Sequence, residues 1–120
     1  MSRSRGTAVV LVRSALSGEG AALGVRVALA LPLGGVDVAL VLAGAAAALA
    51  LATPPELGSW AGALGRELEA LGDAGVEVGV ERESLDALGL GEASLRPGFR
   101  ELAGQEVEQM VASARSCLVL

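Results

Sequence analysis

The stretch Thr7–Arg13, TAVVLVR, decides how the rest of the chain is read. It is rich in β-branched residues and almost uninterrupted by polar ones, and an apolar run without alternation needs cover on both faces, as an inner strand of a parallel sheet has. A small-residue turn, Ser14 to Gly20, leads into a helical pattern from about Gly18 to Leu31. Ser17 is placed to cap that helix, and Glu19 in its first turn complements the helix dipole. Pro32 and Gly34-Gly35 end it. The next run, Val36 to Ala43, is apolar on both faces except at Asp37, so it reads as a second interior strand. Two buried strands joined by a helix make a βαβ unit, whose crossover is right-handed in nearly all proteins.

Gly44 opens a short alanine helix through about Ala52. Thr53-Pro54-Pro55-Glu56 follows as a helix start: a Thr cap, proline at the first helical position, and a Glu three residues on that reaches back to the cap amide. The helix it opens carries Leu57, Trp60, Ala61, Leu64, Leu68 and Leu71 on one face and stops at Gly72. Gly58, Gly62 and Gly65 lie nearly in line beside that stripe. A helix-interior glycine costs about 1 kcal/mol against alanine, so the row marks either a close approach by another backbone or a helix that its packing already stabilises. Val76 to Glu81 alternates, apolar on one face and acidic on the other, which places it nearer a sheet edge or against something polar. Glu83 to Leu90 reads as one helical turn capped by Ser84 and stopped by Gly89, with Leu90 folding back on Leu85. Gly91 to Arg100, with a turn at Pro97-Gly98, leaves room for a short extra strand. A last helix, Gly104 to Ala114, leads into the strand Ser116 to Leu120.

Composition excludes several classes of function. At 120 residues the chain fits one domain with a real core. Every cation is arginine, and Ile, Tyr, Asn, Lys and His are absent. A net charge of −5 and only two aromatics, Trp60 and Phe99, leave neither a basic surface nor a stacking platform for nucleic acid. The longest apolar run, Val38 to Ala52, falls short of the about 20 residues that cross a bilayer. The N-terminal apolar run is too short for a signal peptide, and one cysteine, Cys117, forms no internal disulfide, so a cytoplasmic location is expected.

At Val76–Leu90, VEVGVERESLDALGL, taken with the opening TAVVLVRSA and the closing helix and strand, the chain resembles the DsrE/DsrF-like proteins, and within them most the DsrF/TusC branch. The matching positions are Arg13-Ser14-Ala15 in the turn after strand one, and Glu83-Ser84-Leu85 with Gly89-Leu90 after a later strand. The resemblance covers essentially the whole chain. It implies an α/β, three-layer α/β/α, flavodoxin-like domain with a mainly parallel sheet of four to five strands. It also implies self-association as a trimer or hexamer, or mixed rings with sister DsrE-like subunits, and a part in sulfur relay. In the cysteine-bearing branch a persulfide is carried at the end of the strand before the helical turn. Counting back from Gly89, that position here is Glu81. The turn after strand one also lacks a cysteine, and the glycine-aspartate-glycine turn expected after strand two is reduced to Ala43-Gly44-Ala45.

The residues offer little other chemistry. Cys117, with only Arg115 as a nearby cation, reads as a small buried hydrophobe and a weak candidate for a sulfur carrier. Without histidine there is no Ser-His-Asp triad and no imidazole ligand, and no cofactor or metal is expected. Glu77, Glu81 and Glu83 read as a solvated strand face or, if one is buried, as an acid. Ser17-Gly18-Glu19-Gly20 fits neither a dinucleotide fingerprint nor a P-loop. Since ligands of open α/β sheets gather at the carboxyl ends of strands, the pocket candidates are Arg13, Ser14, Gly44, Glu81 and Ser84. Three functions are compatible with this: an accessory subunit of a sulfur-relay assembly acting through oligomerisation, a sulfurtransferase using Cys117 or sharing a partner's persulfide, and a stand-alone small-molecule binding domain.

Overall fold

A computed structural model describes residues 7–13, 19–51 and 60–120. Five strands, β1 Thr7–Val12, β2 Asp37–Leu42, β3 Glu77–Glu81, β4 Arg100–Leu102 and β5 Ser116–Val119, form a parallel sheet in the order β4-β3-β2-β1-β5. The two apolar runs, β1 and β2, lie inside it, and all of their residues but the first of each are buried. The alternating strand, β3, stands one place in from the edge.

Strand order dictates the layers. From β1 to β4 the chain steps in one direction, so right-handed crossovers put every connection on one face. There α1 (Glu19–Ala30), a 3-10 segment (Gly44–Ala50), α2 (Trp60–Asp73) and α3 (Arg82–Ala87) pack on Val10, Val12, Leu40, Leu42, Val78 and Val80. The return from β4 to β5 crosses three strands and must run over the other face, where α4 (Gly104–Ser113) lays Val107, Met110 and Val111 on Val9, Leu11, Val41 and Leu102. The result is the three-layer α/β/α sandwich, flavodoxin-like and wholly parallel, with one face far more heavily covered than the other.

Several local expectations change in detail. The first helix is described from Glu19 onward and passes into a 3-10 turn, Leu31–Gly34. The alanine run after Gly44 is a 3-10 helix, not an α-helix, and Ala46 to Ala50 are all buried. Small side chains let this tighter coil lie close to the sheet. The Thr53 cap, Ser17, Gly58 and the tight turn at Ser14 lie outside the described residues. The possible extra strand exists as β4, a three-residue edge whose Leu102 lies over Gly79, where any Cβ would collide with it. Gly89 takes the left-handed conformation, φ 74°, and the Leu90 amide returns to the Leu85 carbonyl at 2.8 Å, as the turn requires.

Candidate functional site

The carboxyl ends of β1, β2 and β3 meet at one corner of the molecule, held by three close contacts. The Ala43 amide extends the ladder by donating to the Val12 carbonyl at 2.9 Å. Gly44 then turns with φ +56°, and a Cβ there would sit 2.9 Å from the Arg13 carbonyl oxygen, so only glycine both adopts the turn and fits against the neighbouring strand. From this turn the Gly44 amide donates to Ser84 Oγ at 2.8 Å, and Ser84 Oγ donates to Glu81 Oε1 at 2.6 Å.

Arg13, Gly44, Glu81 and Ser84 thus come together. Ser14 lies outside the described residues. Ser84 does not cap α3: Glu81 occupies the N-cap position and Ser84 lies inside the helix, 8% exposed. Its hydroxyl instead spans 40 residues of sequence to satisfy an amide that the turn at Gly44 takes off the sheet ladder.

The crevice expected of an open α/β sheet falls where adjacent strands send their chains to opposite faces, which here is between β3 and β4. Carboxylates already fill it. The Gly104 amide donates to Glu83 Oε1 at 2.8 Å and the Ala103 amide to Glu106 Oε1 at 3.0 Å, so two acids, one borrowed from α3, close the start of α4. Ala103 has no side-chain oxygen to complete a reciprocal capping box. Arg82 Nε donates to Glu101 Oε1 at 2.8 Å across the same crevice, and that bond, with the charge of Glu101, raises the Arg82 pKa above its ordinary value.

A cavity of about 370 Å³ opens beside this corner, between the sheet and α4, lined by Arg13, Glu81 and Glu108 with Leu11, Val107 and Val111. A second, of about 220 Å³, lies at the opposite end of α4.

Cys117 contradicts its sequence reading. The thiol is exposed, because β5 is an edge strand whose four residues all remain exposed. Cys117 pairs with Val9, four residues before Arg13, which places it about 13 Å along the strand direction from the carboxyl-end corner. It lines neither cavity beside α4.

Sequence reasoning missed Arg96. It stands in a loop before Pro97-Gly98, where an arginine ordinarily reaches water, yet it is 8% exposed. Its Nε donates to the Leu49 carbonyl at 2.8 Å, its amide donates to the Ala50 carbonyl at 2.8 Å, and Nη1 approaches Glu69 at 3.6 Å. The guanidinium lies against Gly65, where a Cβ would come within 3.3 Å of it. The row of glycines was the available signal: at Gly65, what approaches the helix is this side chain. Arg96 thereby fastens the far end of the 3-10 segment that begins at Gly44.

Among the described residues no three His, Cys, Asp or Glu gather as a metal site, and no helix is long and apolar enough to cross a membrane. The sequence search against curated proteins gave no significant match. Among solved structures, the crystal structure of the ychN protein from E. coli superposes with a TM-score of 0.75 at 24% identity, covering 95% of this chain and 98% of that one. This likeness is of fold. The family model described as the DsrE/DsrF-like family matches residues 7–120, and the chain belongs to that family, which links it to sulfur relay.

Proposed function

We propose that this chain is an accessory subunit of a DsrE/DsrF-like sulfur-relay assembly, contributing through association and through its carboxyl-end corner rather than by carrying sulfur. The observation that carries the reading is Glu81. By the count back from Gly89, the resemblance assigns it the position of the persulfide cysteine of the cysteine-bearing branch, and its carboxylate is held by Ser84 at 2.6 Å. A carboxylate cannot form a persulfide, and the lone thiol stands elsewhere, on an edge strand. An absent carrier at this position also suits the DsrF/TusC branch.

Association is supported by uneven protection of the sheet. The β4 edge is short and charged, with Arg100 and Glu101 exposed, whereas the β5 edge exposes Cys117, Leu118 and Val119 without a charge. An uncharged open edge is a pairing surface unless something covers it. The exposed thiol keeps one alternative in play, sulfur transfer through Cys117 itself. Light scattering coupled to size-exclusion chromatography tests the association. The expected result is a mass several times that of one chain, alone or with a cysteine-bearing sister subunit. A monomer under both conditions contradicts the proposal.

A further inference from the structure

The cavity beside α4 is lined by charges of both signs that have no ionic partner among the described residues. Register places Val12 beside Leu42 and Leu42 beside Val80, so the next residues, Arg13, Ala43 and Glu81, stand in one row. They alternate with residues that face the heavily covered side, and Arg13 and Glu81 line the cavity beside α4 while one Glu81 oxygen also reaches Ser84 of α3. Adjacent strands are about 4.8 Å apart, which puts the Arg13 and Glu81 backbones about 10 Å from each other. Ala43, between them in the row, is fully buried. The ion pairs between described residues include none of Arg13, Glu81 or Glu108. Around this row Leu11, Val107 and Val111 give the cavity an apolar wall, and Glu108 adds a second carboxylate.

We infer that this cavity binds a small zwitterion, an α-amino acid with an apolar side chain. Its carboxylate meets Arg13, whose forked guanidinium suits a bidentate carboxylate contact. Its ammonium meets Glu81, which Ser84 holds through only one oxygen, leaving the other free to accept. Its side chain lies on the apolar wall. Fixing Glu81 in advance lowers the ordering cost of binding. Glu108 favours the ammonium end, so the lining carries a net negative charge that disfavours a simple carboxylic acid. The volume of about 370 Å³ lies within the roughly 300–1,000 Å³ usual for small-ligand sites. This site is independent of whether the chain associates or carries sulfur.

Isothermal titration of the full chain with L-leucine, 3-methylbutylamine and 4-methylpentanoate tests it, since the two analogues each keep the side chain and lack one charge. Leucine should bind, and each analogue should bind about tenfold more weakly or worse, the factor expected for one charge-assisted contact. Arg13→Gln should abolish the preference for leucine over the amine. Glu81→Gln, which retains an oxygen for Ser84, should abolish the preference for leucine over the carboxylate. Equal binding of the amine and leucine to the natural protein would reduce the site to a cation site and overturn the inference, as would equal binding of the carboxylate or no heat from leucine at millimolar concentrations. These comparisons on the natural protein decide the matter even if a variant fails to fold.

Discussion

On one face of the sheet α1, α2, α3 and the 3-10 segment bury Leu40, Leu42, Val80 and Leu85, while on the other a single ten-residue helix, α4, rests on Val9, Leu11 and Val41. The difference follows from strand order alone, because three steps in one direction stack their connections together and only the return crosses behind. The heavily covered face concentrates the apolar burial that holds the fold. The lightly covered face leaves a cavity at each end of α4, and the charged residues Arg13 and Glu81 open into one of them. Most of the apolar burial and the charged cavity thus fall on opposite sides of the same five strands.

The sharpest way to break this comparison is to remove one core side chain from each face. Leu42→Ala, fully buried among several elements, should cost about 4 kcal/mol, whereas Val107→Ala under α4 should cost about 1–2 kcal/mol. Urea unfolding measures both, and equal losses would remove the asymmetry. Next in size is Arg96→Ala, which leaves the Leu49 carbonyl without its donor and opens space against Gly65. A loss of about 2–3 kcal/mol is expected in the same assay, with faster hydrogen exchange through the 3-10 segment Gly44–Ala50. Smaller still is Ser84→Ala, which strips the Gly44 amide of its acceptor and frees Glu81. It should cost about 1–2 kcal/mol, and exchange at the Gly44 amide should accelerate more than at other amides of that segment.

What could be read from sequence follows the same division. β1 and β2 are legible because strands covered on both faces must be apolar throughout, and the turn through Gly89 and Leu90 is legible because its geometry is local. β4 is too short for a period, and two of its three residues are charged. Ser84 has the pattern of a cap, but its hydroxyl bonds a residue 40 positions away, a relation that no local spacing encodes. Ser116-Cys117-Leu118-Val119 carries no charge to mark an edge, yet strand order puts it there, and side-chain type does not reveal order. The carboxyl-end grouping of Arg13, Gly44, Glu81 and Ser84 was legible from topology. The buried arginine that braces it was not, since Arg96 differs from a surface arginine only in its distant partners.

The central claim is that sulfur carried within this family is not carried by this chain. Intact-mass spectrometry after mixing with one equivalent of a persulfidated donor protein tests it most directly, comparing the natural chain with Cys117→Ser. The account predicts that both keep their unmodified masses while the donor retains its sulfane sulfur. Gain of one sulfur atom by the natural chain, with the donor returned to its thiol and no gain by Cys117→Ser, would contradict it.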